Sequence, residues 1–328
     1  MDILLAVSGG IDSMYMLHRA SELFPEASFA VAHCNFGLRG EDSDADEQFV
    51  RQECVSLGIP FMTRHFDTVS EAASRGVSIE MAARDQRYAW FADICKGTAP
   101  ELTGSGFSKF DAVATAHNAN DSAETLLLNI LRGCGTTGLR GIPSRRESDG
   151  VTILRPLLKI GREEITSWMT AGGHPWREDR TNSGTEFKRN KIRNLVFPVF
   201  KEINPSFIHT IGEDIGRFTQ VDDIAEDYHR SALERISRED GSISAEGLLA
   251  LKHWRYVLWR LVANCGFSQP TFEKLTALLE HYRVEPRGTV TIGGKTFQSP
   301  THILTIKHKN LYISEKENSS TDGSRGKR

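Results

Sequence analysis

The sequence predicts an α/β fold: a doubly wound parallel sheet, followed by a helical region and a small α+β C-terminal domain. Three observations predict it. Four short apolar runs alternate with helical stretches over the first 132 residues. A tight Gly-Gly turn joins the first run directly to the first helix. Beyond Thr289 the pattern changes to short alternating strands.

The predicted strands are Ile3–Val7, Ser28–His33, Pro60–His65 and Asp111–Ala116, all short and apolar. Between them lie helical stretches at Asp12–Leu23, Asp42–Leu57, Ser78–Lys96 and Asn120–Arg132. Gly97–Lys109 is rich in Gly, Ser and Thr and reads as a surface loop. From Arg155 the chain reads as mostly helical: Arg162–Thr170, Thr185–Leu195, then a long stretch from Ser206 to about Ile236. Shorter helices fill Ser244–Tyr282, broken at Gly266–Pro270. Thr289–Ile292, Lys295–Gln298, Ile303–Lys307 and Leu311–Ser314 alternate as small strands, with Gly293-Gly294 as a hairpin turn. These changes divide the chain into a catalytic domain at 1–205, a helical linker at 206–265, a small domain at 266–316 and a polar tail at 317–328 that reads as disordered. Parallel doubly wound sheets bind ligands beyond the C-terminal ends of their strands. The Gly-rich turn, His33 and Thr115–Asn118 are expected there.

An apolar content of 39% with 25% charged residues fits a soluble globular chain. No run of 18 apolar residues suggests a transmembrane helix, and nothing after Met1 resembles a signal peptide. Five cysteines, widely spaced and without a CxxC pair, point to a reducing cytoplasm and away from a zinc knuckle or iron–sulfur cluster. The net charge of −3 does not itself suggest a nucleic-acid binder. Its distribution is uneven: Arg132–Arg193 holds 13 Lys/Arg against 7 Asp/Glu, whereas Glu213–Asp240 holds 9 acidic against 4 basic residues. A basic middle with an acidic flank is a candidate polyanion surface, or two solvated faces of unequal charge.

The most specific motif is Ser8-Gly9-Gly10-Ile11-Asp12-Ser13. Its glycines allow a close backbone approach to an anion, and the turn and helix-start N–H groups point at it. Ser8 and Ser13 add hydroxyls, and Asp12 beside a phosphate implies Mg²⁺ between them. No Lys follows the glycines, so this is not the Walker pattern. The plainer reading is a strand–turn–helix with Ser and Asp as caps. A second cluster, His33-Cys34-Asn35-Phe36-Gly37-Leu38-Arg39-Gly40, could hold a nucleotide or a base, with Asp42 or Ser43 capping the next helix. Glu80, Arg84 and Arg87 share one helix face, either as an ion-pair ladder or with the arginines on phosphates. The run Ala114–Thr125 places His117, Asp121 and Glu124 at a helix start, followed by Arg132. Acids there stabilise the helix dipole; beside a His they could also bind Mg²⁺, hold an amine or act as a base. Arg189 and Arg193 are four apart, and like charges so placed favour a phosphate partner.

Taken together these residues resemble the tRNA(Ile)-lysidine synthetase family, and SGGIDS resembles the PP-loop of N-type ATP pyrophosphatases, a Rossmann-like α/β fold. The resemblance runs from Asp2 to about Ser206, on SGGIDS, HCNFGLRG, EMAARDQRY, ATAHNANDSAET with LRG, RPLL, EDRTN and KRNKIRN. Arg287–Ile306 also resembles that family's small appended domain. Phe36 stands where the family usually has a second His, and the sequence reads as too short to include the further C-terminal domain of longer members, whether naturally absent or cut off. It implies a cytoplasmic ligase that uses ATP and Mg²⁺ to adenylate C2 of the wobble cytidine of a CAU-anticodon tRNA(Ile), then attaches L-lysine. The resemblance implies ATP at Ser8, Gly9, Gly10, Ile11, Asp12, Ser13, His33 and Asn35, and metal at Asp12 and Asp121. Chemistry would fall to Asp12, His117, Asp121 and Glu124, the choice of base being open. RNA or lysine would meet Arg39, Glu80, Arg84, Arg87, Arg132, Arg189 and Arg193. A homodimer is the default expectation. A PP-loop tRNA thiolase would need cysteine pairs, for which only Cys34 and Cys134 could be close. A PP-loop amide ligase would not need the Arg189/Arg193 patch, and a dead binding module would not keep the Ser8–Ser13 loop.

Overall fold

The computed structural model describes residues 1–178, 188–284 and 294–316, with no side chains described for 282–284. Its elements follow as β1 Asp2–Ala6, α1 Ile11–His18, α2 Ala20–Leu23, β2 Ser28–Asn35, α3 Glu41–Leu57, β3 Phe61–His65, α4 Thr68–Arg75 and α5 Ile79–Lys96. Next come β4 Ala112–Ala114, α6 Ala119–Arg132, β5 Arg145–Ser148, β6 Val151–Leu154, α7 Arg162–Ala171, α8 Lys188–Lys191, α9 Phe197–Ile203 and α10 Phe207–Ile236. The remainder is β7 Ile243–Ser244, α11 Ala245–Ala250, α12 Trp254–Ala263, α13 Gln269–Val284, β8 Lys295–Gln298, β9 His302–Lys307 and β10 Asn310–Glu315.

The first six strands form one sheet in the order β3-β2-β1-β4-β6-β5. All its pairs are parallel except the edge pair β5–β6. The doubly wound sheet is therefore as expected, with an antiparallel edge hairpin added. Asp149 and Gly150 turn that hairpin with φ of 54° and 78°, the left-handed pair of a two-residue hairpin turn. The strand order reverses direction at β1 and β4, so their C-terminal ends open the crevice where such folds bind ligands.

One face of the sheet buries Ile3, Leu5, Val31 and Ala114 against Met14, Leu17, Val50 and Ile165. The other buries Leu4, Ala30, Ala32 and Val113 against Trp90, Phe91 and Ile94 of α5. The expected helix Asp12–Leu23 breaks at Arg19, and α4 appears where no helix was expected, with Asp67 accepting from Ser70 N at 3.1 Å as its cap. Neither Asp42 nor Ser43 caps α3, which starts after Gly40. Between α8 and α9, residues Ile192–Val196 form a wider π turn just ahead of Pro198, which has no N–H for a regular helical bond.

The chain divides into two compact units, Met1–Gln220 and Val221–Arg328. Compositional boundaries at 205 and 265 do not coincide with that division. In the second unit, Ala232 and Ile236, Leu248, Val257 and Leu258, Leu275 and Leu279 share one core with Leu304, Ile306 and Leu311. The sheet there, ordered β7-β10-β9-β8, also takes β7 from the stretch expected to be a helical linker. The expected strand Thr289–Ile292, the first half of the Gly293-Gly294 turn, the start of the Thr185–Leu195 helix, most of EDRTN and the 317–328 tail lie outside the described residues. No described helix is long and apolar enough to cross a membrane.

Candidate active site

The turn after β1 is locked by its second serine. Buried Ser13 accepts from Ser8 N at 3.1 Å through Oγ, donates to Gly10 O at 2.8 Å, and lies 3.2 Å from Ser8 Oγ. Gly9 holds φ +93°, a backbone conformation in which a side chain would be strained even though a Cβ would make only ordinary contact with Val50 Cγ2 at 3.4 Å. No side chain caps α1, which starts after Gly10. Its first-turn N–H groups, next to the Gly-Gly backbone, form a cradle suited to an anion.

Asp12 sits in the first turn of α1, facing the N-terminus of α6. Its Oδ1 accepts from Asn118 Nδ2 at 3.0 Å, and its Oδ2 is paired with Arg162 Nη1. Burial raises its pKa above the usual carboxylate value; Arg162 pulls it down, and nearby Asp121 pushes it up. Asp121 closes a capping box with Asn118: its N–H donates to Asn118 Oδ1 at 3.1 Å and its Oδ2 accepts from Asn118 N at 3.0 Å. Its Oδ1 accepts from Arg193 Nη2 at 3.3 Å. His117, between β4 and α6, lies 3.1 Å through Nδ1 from Thr115 Oγ1. Burial lowers its pKa against the pull of Asp121, so it is neutral at pH 7.

A cavity of about 970 Å³ opens over these groups. It is lined by the whole Ser8–Ser13 loop, His117, Asp121, Arg39, Arg87 and Arg189 among the expected site residues. Further lining residues given no site role in the sequence reading include Cys34, Phe36, Tyr88, Arg162, Trp176 and Arg177. Arg39 and Arg177 both pair with buried Asp46, and Arg177 also lies 3.9 Å from Asp42. Arg87 stacks over the Phe36 ring at 5.3 Å, and Phe36 stacks on Phe66 at 5.4 Å.

Several expected residues are placed elsewhere. His33 and Asn35, expected to hold nucleotide, do not line the cavity. His33 is 3% exposed, turned into the sheet with Nδ1 2.9 Å from Val7 O and its ring stacked on Phe61. Asn35, 2% exposed, donates to Asp44 and Glu47 and accepts from Gly37 N. Strand pleat is the reason: with Ala32 and Cys34 facing the cavity, the alternate residues His33 and Asn35 must face away. Glu124 is 0% exposed and accepts from Arg193 Nε at 2.7 Å; burial raises its pKa, and it does not line the cavity. Arg193 thus bridges Asp121 and Glu124 instead of presenting a free guanidinium. Arg84 lies over the Tyr88 ring at 5.0 Å, so the Glu80–Arg84–Arg87 ladder does not form, and Glu80, Arg84 and Arg132 lie on the surface away from the cavity. Among the described residues no group of three His, Cys, Asp or Glu side chains is placed to hold a metal ion.

Residues 1–200 match the family model described as PP-loop domain. Among curated proteins, a tRNA(Ile)-lysidine synthase of Bacteroides thetaiotaomicron is 39% identical over 313 residues, covering 95% of this chain and 67% of that protein. One of Parabacteroides distasonis is 35% identical over 316 residues, covering 96% of this chain and 66% of the relative. The chain belongs to the tRNA(Ile)-lysidine synthase family. A further relative of the same name, from Chlorobaculum tepidum, is 42% identical over 220 residues, 66% of this chain and 61% of its own length. The chain thus spans about three-fifths to two-thirds of the length of these relatives. A solved structure titled U34-tRNA thiolase NcsA from Methanococcus maripaludis with its [4Fe-4S] cluster matches with a TM-score of 0.53. It covers 67% of this chain and 73% of that one at 18% identity, a likeness of fold alone.

Proposed function

We propose that this chain is a tRNA-modifying ligase that converts the wobble cytidine of a CAU-anticodon tRNA(Ile) to lysidine, using ATP and L-lysine. One observation carries the reading: the Ser8–Ser13 anion cradle, the Asp12/Asp121 pair, neutral His117 and a rim of arginines line a single cavity. That combination suits a nucleotide, a cationic amine and a splayed base at once. In the first step the cytidine O2 attacks the α-phosphorus of ATP, and pyrophosphate leaves. In the second the lysine ε-amine attacks C2, AMP leaves, and the amine gives up its proton.

The residues divide this work. The cradle and Arg39, Arg177 and Arg189 would hold phosphates. Asp12 and Asp121 fit a Mg²⁺ ion that takes its other ligands from phosphate and water, because two neighbouring carboxylates raise each other's cost and no third protein ligand joins them. Bound there, Mg²⁺ would neutralise phosphate charge. His117, neutral and facing the cavity, is the acceptor for the amine proton. Glu124 is too enclosed for that role, and Asp121 already accepts on both oxygens. The Arg87–Phe36–Phe66 stack offers a platform for a flipped base. Sulfur transfer has less support: burial pushes the Cys34 thiol up to about 12, far from a nucleophilic thiolate.

The test is transfer of radiolabelled lysine, dependent on ATP and Mg²⁺, to a CAU-anticodon tRNA(Ile) transcript, beside the same transcript with uridine at the wobble position. Label on the first alone supports the proposal. Pyrophosphate release without label on either would keep the nucleotide chemistry and exclude lysine as the nucleophile.

A further inference from the structure

Asp12 sits in a half-enclosed site, and in the ligand-free protein its Oδ2 is paired with the Arg162 guanidinium while its Oδ1 accepts from Asn118 Nδ2 at 3.0 Å. The Arg162 side chain is otherwise loosely held. It is 44% exposed, and its backbone is fixed from another direction, with N donating to Asn120 Oδ1 at 3.0 Å. The anchor is therefore rigid while the guanidinium can turn. Both Arg162 and the Ser8–Ser13 loop line the same cavity. Among the described residues no third ligand completes a metal site around Asp12, so a divalent cation there needs phosphate oxygens as well.

We propose that Arg162 is an exchangeable counter-ion that couples metal binding to nucleotide binding. Resting on the reading of this cavity as a nucleoside triphosphate site, it works as follows. A divalent cation arriving at Asp12 repels the guanidinium, and the triphosphate arriving with it attracts the guanidinium. Both forces move Arg162 off Asp12 and onto the phosphates. The metal alone has to displace Arg162 without compensation, and the nucleotide alone gains no carboxylate-bound metal. Each ligand therefore strengthens the other by the same factor, as linkage requires.

The test is Mn²⁺ binding to the full chain, read from the free-ion paramagnetic resonance signal with and without ATP, for wild type, Arg162→Gln and Arg162→Lys. Circular dichroism and thermal melting verify folding of each variant. In wild type, ATP should tighten Mn²⁺ binding on the order of a hundredfold. In Arg162→Gln, Mn²⁺ alone should bind about tenfold tighter and the ATP enhancement should shrink to a few-fold. Arg162→Lys should fall between, because its compact charge can occupy Asp12 but cannot fork onto phosphate. A folded Arg162→Gln protein with unchanged or weaker Mn²⁺ binding without ATP, and unchanged enhancement, would overturn the exchange while leaving the nucleotide site standing. If Arg162→Gln does not fold, Arg162→Lys with wild-type values for both quantities overturns it. Wild type that binds no ATP at all would overturn the nucleotide site and this proposal together.

Discussion

The ends of β2 and β4 frame the same crevice yet use their polar residues in opposite ways. At β4 the ladder stops at Ala114, and the next residues turn into the α6 cap, so His117 and Asp121 reach the cavity. At β2 the ladder runs on through Asn35, paired with His65, so pleat still decides each side chain's face. His33 and Asn35 turn inward as scaffold, while Cys34 and Phe36 face the cavity. A polar residue near a strand's C-terminal end is thus a candidate ligand only where it has left the ladder or lies on the ligand's face.

Variants can break or sharpen this contrast. The largest effect is expected at Asp12, which meets the β4 side through Asn118: Asp12→Asn should lower lysine transfer about a thousandfold with the fold retained, measured as initial rate. His117→Ala should follow, with a loss of about a hundredfold in kcat. In wild type any acid limb due to His117 should fall below pH 6.5, because burial lowers its pKa and the neutral form is the one that accepts a proton. An acid limb centred well above pH 6.5 would exclude His117 as its source.

On the β2 side, Phe36→Ala should raise KM for tRNA about tenfold through loss of a stacking surface, with kcat less affected. His33→Ala should act in the opposite manner. It should cost about 2–3 kcal/mol of stability by denaturant titration, since a buried ring and its bond to Val7 O are lost, yet leave KM within about twofold. Equal kinetic damage from His33→Ala and Phe36→Ala would break the comparison.

The smallest effect concerns pH and stability. Burial lowers the pKa of both His33 and His117, so the unfolded chain binds protons more readily than the folded one. Stability should be fully present above the ordinary histidine value of about 6.5 and decline as pH falls below it, with His33→Ala flattening that decline.

Much of this was readable from residue order. Strand–helix alternation with Ser8–Ser13 after the first strand led to the sheet and to the edge where the cavity opens, because topology brings strand ends together whatever the side chains do. The β5–β6 hairpin escaped notice although Asp149-Gly150 is a strong turn signal: Arg145-Arg146-Glu147-Ser148 is an exposed edge strand without apolar alternation. The role of Asp46 could not be read in full either: Arg39 is seven residues away, but its second partner Arg177 is 131 residues away and reaches it only in the fold, where Arg177 N also binds Gly9 O at 3.0 Å. Glu124 shows the remaining gap. Its place on the inner face of α6 follows from helical spacing with Leu128, but its partner Arg193 is 69 residues away and only the fold joins them.

The central claim is that one cavity carries the nucleotide, the base and the amine through two steps. It is tested most directly by incubating the protein with ATP labelled at the α-phosphorus and CAU-anticodon tRNA(Ile) without lysine, then adding lysine. The account predicts label on the tRNA in the first phase and its release as AMP in the second. Lysine transfer to tRNA that never acquires the AMP label would contradict it.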